Sequence, residues 1–285
     1  MTGATSDSMF RIAVIGATGY LGGRLVSELI REGYHVRAVS RSFEKMRCRP
    51  YAASDRLEMA RADACSEPEL AAALRGCSAC FWLINGLQRS DEPEACGLKA
   101  ARNLVSSAHA AGLSRVIYLG PPCRDSRGDP KDAGNGSTDP GWILISGPVP
   151  VTWLRTAMII GSGSASFEIL RYLTERLPFM LAPQWMLNPI RPIAVSDVLR
   201  YLKGCLENPE TTGLISDIGG PDVLSFRDLI DIYAEAAGLP RRLMVTWPIK
   251  AKAFSAYWIN LVTPVPFGLA RTVVENIDAG SAHLN

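Results

Sequence analysis

Apolar residues along the first 120 positions fall into short β-branched runs separated by stretches with helical spacing. Arg11-Ile-Ala-Val-Ile15 is such a run and stops at a glycine. Tyr20–Arg31 follows with Leu21, Leu25 and Leu29 on one helical stripe, and Gly33 is placed to terminate it. His35–Ser40 and Leu57–Ala60 repeat the strand pattern. Ser66-Glu-Pro-Glu69 has capping-box spacing and predicts a helix through Leu74. Ala79–Ile84 predicts a fourth strand, Glu92–Ala111 a long helix and Arg115–Leu119 a fifth strand. Strands alternating with helices pair in parallel, because a crossover helix is needed to return the chain to the same sheet edge. The expected fold is therefore α/β with a doubly wound parallel sheet.

The pattern then changes. Arg124–Gly141 is rich in Gly, Asp and Pro and predicts an exposed loop. Val151–Arg155 resumes as a strand, Ala165–Arg176 as a helix and Ile193–Val195 as a short strand. Ser196 caps a helix running to Leu206, and Ser225–Ala237 forms another. The expected division is a nucleotide-binding domain over 9–160 and a smaller, substrate-covering C-terminal lobe over 161–285. The chain should return to the sheet near 191–195 and 214–219.

Composition narrows the partners. Thirty Lys+Arg against 28 Asp+Glu, with no basic run, gives no field for nucleic acid. Ala253–Ala270 carries no charge, but Pro264 and Pro266 break it as a helix. It predicts a helix and turn packed on the body, with peripheral membrane contact left open and no transmembrane span. Seven cysteines is an odd count in a chain too long to need staples, and Met1–Met9 has no signal-peptide pattern. A reducing, cytoplasmic setting is the expectation.

The chemistry sits between the first strand and the first helix, in Gly16-Ala-Thr-Gly19-Tyr-Leu-Gly22. Glycines at this spacing permit a tight turn, let backbone approach a pyrophosphate and pack helix on strand. The phosphate then meets the N–H groups and positive dipole end of the helix. Gly16, Thr18, Gly19, Tyr20 and Leu21 are the candidates for that contact. After the second strand comes Ser40-Arg41, with Lys45 beyond and no acid before Glu44. A ribose 2′-phosphate wants arginine there and a free 2′-hydroxyl wants an acid, so NADP(H) is favoured over NAD(H). Asp63 with Ala64 is placed to meet an adenine edge. Leu83, Asn85, Leu119 and Gly120 end the fourth and fifth strands, where an open α/β sheet forms its ligand crevice.

These residues resemble the short-chain dehydrogenase/reductase superfamily in its atypical, NmrA-like NAD(P)-binding branch, of Rossmann-type fold. Arg191–Val198 and Asp217–Asp222 are similar to later signatures of extended members. Leu154–Gly161, with Ala157, is similar to the strand beside the nicotinamide. Tyr257–Pro266 resembles a bacterial subgroup of NAD(P)-binding proteins.

Active members of that superfamily use a Tyr-x-x-x-Lys pair, in which lysine lowers the tyrosine pKa. None of the eight tyrosines has lysine four residues on; the partners are Arg24, Ala38, Asp55, Pro122, Arg176, Cys205, Ala237 and Leu261. Lys131 and Tyr118 remain as substitutes, against the readier readings of a solvated lysine and a packed ring. Cys77-Ser-Ala-Cys80 precedes a strand rather than opening a helix and reads as core, and the three scattered histidines offer no metal site. The uncharged aromatic stretches Phe179–Trp185, Trp247 and Phe254–Trp258 suit the wall of an apolar pocket and equally a plain core between the lobes. Two functions follow. One is an NADP(H)-dependent oxidoreductase acting on a small apolar or aromatic carbonyl, enone, imine or quinone-like substrate. The other is a non-catalytic NADP(H)-sensing regulator or assembly subunit.

Overall fold

The computed structural model describes residues 10–84, 93–122, 139–247, 259 and 262–282. In chain order the first elements are β1 (Arg11–Ile15), α1 (Tyr20–Arg31), β2 (His35–Ser40), α2 (Phe43–Arg47), β3 (Leu57–Arg61), α3 (Glu67–Leu74), β4 (Ala79–Trp82) and α4 (Pro93–Ala110). Then come β5 (Arg115–Gly120), α5 (Pro140–Ile145), β6 (Val151–Arg155), β7 (Ile159–Ile160), α6 (Ala165–Arg176), β8 (Phe179–Pro183), β9 (Pro189–Ile190) and β10 (Ile193–Ala194). The chain ends with α7 (Val195–Glu207), β11 (Ile215–Asp217), β12 (Leu224–Ser225), α8 (Phe226–Ala236), β13 (Leu243–Trp247) and α9 (Phe267–Ala282).

The main sheet has seven strands in the order β11-β6-β5-β4-β1-β2-β3. β1 pairs in parallel with β2 and β4, β2 with β3, and β4 with β5. The order reverses at β1, the doubly wound arrangement that the alternating pattern implied. Strands buried on both faces read as continuous apolar runs, as β1 and β4 do.

Contacts divide the chain into two compact units. The first comprises Met1–Tyr118, Asp129–Trp153 and Leu202–Leu214; the second comprises Leu119–Gly128, Leu154–Tyr201 and Ile215–Asn285. In the first unit Ile12, Val14, Leu25, Leu29, Phe81 and Trp82 form the core between sheet and helices. Helix α1 stops as its sequence required: Gly33 takes φ of +95°, and the Gly33 and Tyr34 N–H groups donate back to Ile30 and Leu29. The predicted Arg124–Gly141 loop gives way by Pro140 to α5, whose cap is the Asp139 carboxylate accepting from the Gly141 N–H at 2.8 Å.

The second unit is built on α6, α8 and α9 around Ile169, Leu173, Met180, Phe226, Ile230 and Val274. Trp185 meets Phe226 edge-on at 5.4 Å. β8 and β13 form a separate parallel pair, and the register partners Phe179 and Leu243 are both exposed. Among the described residues no helix is long and apolar enough to cross a membrane. Phe254–Trp258 lies outside the described residues.

Candidate cofactor site

The carboxyl ends of the first four strands meet around one turn of the first unit. Gly16 takes φ of +89°, a backbone region that strains any residue with a side chain. Its N–H and that of Ala17 both donate to the Val39 carbonyl, at 3.1 and 3.2 Å, which pins the turn to the end of β2. A Cβ on Gly16 would sit 3.0 Å from the Leu83 carbonyl oxygen at the end of β4. A Cβ on Gly22 would run into the Gly16 carbonyl oxygen itself. The glycine spacing is thus a packing requirement: helix α1 starts so close to the turn that its facing residue has no room for a side chain.

Gly19 is the N-cap of α1, with no side-chain cap and no acidic residue in the first turn. The positive end of the helix therefore faces a cradle without carboxylates of its own. That combination, a glycine cradle under an uncapped helix start, fits a dinucleotide pyrophosphate.

Beside the turn, the Thr18 and Ser40 hydroxyls lie 2.9 Å apart, and Ser40 Oγ also accepts the Ser42 N–H at 3.3 Å. Arg41 is exposed next to them. The nearest acid, Glu44, is engaged within its own helix start, where the Ser42 hydroxyl donates to its carboxylate at 2.9 Å. Its own backbone N–H first, and that hydroxyl second, hold the Glu44 carboxyl below the usual carboxylate range. At the end of β3 the Ala62 N–H donates to the Ser40 carbonyl at 3.1 Å. Asp63 Oδ1 accepts the Cys65 N–H at 2.9 Å, and the Asp63 N–H donates to Glu69 at 3.0 Å. The Ala64 carbonyl is held by Asn103 Nδ2 at 2.9 Å.

Two further residues serve this turn that no sequence pattern marked. Arg49 Nη2 donates to the Thr18 carbonyl at 2.5 Å, and the buried Tyr51 hydroxyl donates to the Ala17 carbonyl at 3.1 Å. Burial pushes the Tyr51 phenol pKa up. Together they tie the carbonyls of the turn back into the protein. Arg49-Pro-Tyr51 reads as an ordinary surface turn in sequence, and only the fold brings it under the glycines.

Leu119, Gly120 and Ala157 belong to the second unit. Leu119 is fully buried, so it offers backbone rather than side chain. The Gly120 carbonyl accepts the Thr156 N–H at 3.1 Å, which places half-buried Ala157 one residue beyond that strand contact. Asn85 and Lys131 lie outside the described residues.

The structure corrects Tyr118 as a catalytic candidate. It is 2% exposed, its ring stacked on Trp153 at 5.7 Å, and Trp142 packs edge-on to the same indole at 5.6 Å. A ring enclosed in an aromatic cluster is core. Cys77 and Cys80 are buried free thiols whose pKa values burial raises. Cys65 and Cys96 differ from the expectation of free thiols, being joined as a disulfide.

Residues 16–136 match the family described as NAD(P)H-binding. Cinnamoyl-CoA reductase 1 of Oryza sativa subsp. japonica is 30% identical over 111 residues, 38% of this chain and 33% of that protein. The NmrA-like family domain-containing oxidoreductase FrzB of Cladobotryum sp is 30% identical over 127 residues, 42% of this chain and 36% of its own length. The matches thus span about a third of those two relatives. The mitochondrial NADH dehydrogenase [ubiquinone] 1 alpha subcomplex subunit 9 of Arabidopsis thaliana is 24% identical over 97% of this chain and 70% of that protein.

Among solved structures, a nucleoside-diphosphate-sugar epimerase from Staphylococcus aureus superposes with a TM-score of 0.72 at 20% identity, covering 96% of this chain and 91% of the other. The Citrobacter sp. triphenylmethane reductase complexed with NADP(H) gives 0.71 at 21% identity, covering 96% and 90%. These likenesses establish the fold. Residues 16–136 carry the pattern of the NAD(P)H-binding family, on a Rossmann-type sheet, in a chain whose relatives include an NmrA-like oxidoreductase.

Proposed function

We propose that the chain is an NADP(H)-dependent reductase acting on a small apolar carbonyl, enone, imine or quinone-like compound. The observation that carries this reading is the glycine cradle ending in an uncapped helix, with Arg41 rather than an acid after β2. In it the Thr18–Leu21 backbone and the Thr18 hydroxyl take the pyrophosphate. Ser40 and Arg41 take the 2′-phosphate, since a guanidinium presents paired donors to phosphate oxygens. Asp63 and Ala64 meet the adenine, and Leu83 backs the glycine turn. A bound nicotinamide supplies hydride to an electrophilic carbon. The chain's share is orientation and exclusion of bulk water, with the proton drawn from a water molecule or another side chain in place of a Tyr/Lys pair. The likeness to a cinnamoyl-CoA reductase and to an NmrA-like oxidoreductase supports the reductase reading.

A second reading, a cofactor-binding assembly subunit without chemistry, is favoured by the missing Tyr-x-x-x-Lys pair and the burial of Tyr118. The similarity to an NADH dehydrogenase subunit, over 97% of this chain and 70% of that protein, supports it too.

Calorimetric titration with NADPH and then NADH tests the first step. NADPH should bind at least about tenfold tighter, and Arg41→Ala should remove that preference while leaving NADH affinity unchanged. Equal binding of the two by the native chain would refute the 2′-phosphate assignment. NADPH consumption with a panel of quinones, enones and triarylmethane dyes then separates the readings. Turnover above the free-cofactor rate supports the reductase, and binding with an inert panel supports the subunit.

A further inference from the structure

We propose that Cys65 and Cys96 form a reversible thiol–disulfide site, taking a low-molecular-weight disulfide of the glutathione class, whose oxidised form tightens the adenine end of the cofactor site. The effect on affinity rests on the NADP(H) reading above; the exchange chemistry does not.

The two Cα atoms lie 6.4 Å apart and 31 residues apart in sequence, joined through their sulfurs. That separation is inside the span a disulfide bridges without backbone movement. Cys65 sits in the turn after β3, where its N–H donates to Asp63 Oδ1 and its neighbour Ala64 accepts from Asn103. Cys96 sits in the first turn of α4. The bond therefore fastens the turn bearing the adenine candidates to the start of α4, while Asn103 fastens the same turn to the middle of that helix.

Access together with a partner in bonding range separates this pair from the other described cysteines. Cys77, Cys80 and Cys205 are buried, and burial raises each thiol pKa, so the nucleophilic thiolate is scarce. Cys48 is exposed and free. Cys65 and Cys96 are both half-buried, combining access with a partner in bonding range.

The chemistry balances in two exchanges. One cysteine, as thiolate, attacks the small disulfide, forming a protein mixed disulfide and releasing one small thiolate. The second cysteine displaces the other small thiolate, and the two protons lost by the cysteines pass to the released thiolates. The protein pair is oxidised by two electrons and one small disulfide is reduced to two thiols. Reduced glutathione runs both steps backwards.

Reduction frees one of the two ties on this turn and leaves the Asn103 bond. The consequence is a graded change in preorganisation, because a turn already held needs less ordering when adenine binds.

The test equilibrates the full chain in glutathione buffers from reducing to oxidising, traps free thiols by alkylation and maps peptides by mass spectrometry. A Cys65–Cys96 linked peptide should appear with the loss of two hydrogens and vanish on reduction. Calorimetry should then find NADPH bound about three- to tenfold tighter by the oxidised form. The C65S/C96S chain should match the reduced form in both buffers. The proposal is overturned if glutathione stops on one cysteine as a mixed disulfide, if no linked peptide forms, or if both forms bind NADPH equally. Should neither form bind any dinucleotide, the cofactor reading has failed. Hydrogen exchange over residues 62–66 then decides: slower exchange in the oxidised form supports the crosslink's hold on the turn, and identical exchange overturns it.

Discussion

Helices α1 and α8 both begin at a strand end, and they treat their first N–H groups in opposite ways. At α8 the chain satisfies itself. The Ser225 hydroxyl accepts the Asp228 N–H at 3.1 Å, and the Asp228 carboxylate accepts the Ser225 N–H at 2.8 Å and its hydroxyl at 2.7 Å. At α1 the cap is Gly19, which has nothing to offer, and no acid follows in the first turn. A capped start stabilises its helix by about 1 kcal/mol. The α1 start forgoes that gain, and the space a cap would fill stays open to an anion. The difference teaches where to look for a ligand in such a fold: at the helix start whose side chains leave the dipole unanswered, once a glycine cradle stands beneath it.

The largest effect should come from giving α1 the cap it lacks. Gly19 has φ −70° and ψ 173°, extended backbone open to any residue, and a Cβ there would approach only the Gly16 carbonyl oxygen, at 3.1 Å. Gly19→Asp should therefore fold, with α1 unchanged or a few tenths of a kcal/mol more stable. Its carboxylate would occupy the place of the pyrophosphate and repel it. NADPH affinity should fall on the order of a hundredfold, about 2.7 kcal/mol, by calorimetry, while the urea midpoint holds or rises. Unchanged NADPH affinity would mean that the phosphate binds elsewhere, and the contrast between the two helices would lose its functional meaning.

The converse change is smaller and falls on stability alone. Ser225→Ala removes one donor–acceptor hydroxyl from the capping box, at a cost of about 1 kcal/mol in urea unfolding. NADPH affinity should not move. A drop in affinity on the same scale would show that the two helix starts are energetically linked and break the comparison from the other side.

The same two helix starts show how much was legible in the sequence and where legibility ended. The glycine motif could be read because each glycine answers a local steric demand: Gly16 its positive φ, Gly22 the carbonyl that its Cβ would strike. Capping patterns were less decisive. Ser66-Glu-Pro-Glu69 predicts a box just as Ser225–Asp228 forms one, yet Ser66 makes no side-chain cap. Its N–H donates to the Asp63 carbonyl at 2.9 Å, and Glu69 reaches instead to the Asp63 N–H. The turn before α3 competes for the same groups, and a four-residue pattern does not record that competition. Contacts distant in sequence were invisible for the same reason. Tyr51 reaches Ala17 across 34 positions, Cys96 reaches Cys65 across 31, and β13 pairs with β8. Each depends on the sheet having assembled first. Tyr118 was left open between a crevice group and a packed ring because a strand-end position does not tell which side of the sheet a ring faces; Trp153 and Trp142 enclose it.

The smallest effect is a matter of pH, and it isolates the α8 cap from everything else. The Ser225 hydroxyl first and the Ser225 N–H second hold the Asp228 carboxyl below its ordinary value. A carboxyl depressed on folding contributes stability that is fully present above the unfolded-state value of about 3.9 and is lost as pH falls through the folded-state value. Asp228 is exposed, so the contribution is screened and modest. Ser225→Ala removes the main cause of the depression, the hydroxyl hydrogen bond, so its penalty should be full at neutral pH and shrink as the buffer is taken below pH 4. The check is a pair of urea titrations on each chain, one near neutrality and one in acid. If the gap between the two chains is the same at both pH values, Asp228 is not part of the α8 cap in solution. The contrast with α1 would then rest on the Ser225 hydroxyl and the Asp228 N–H alone.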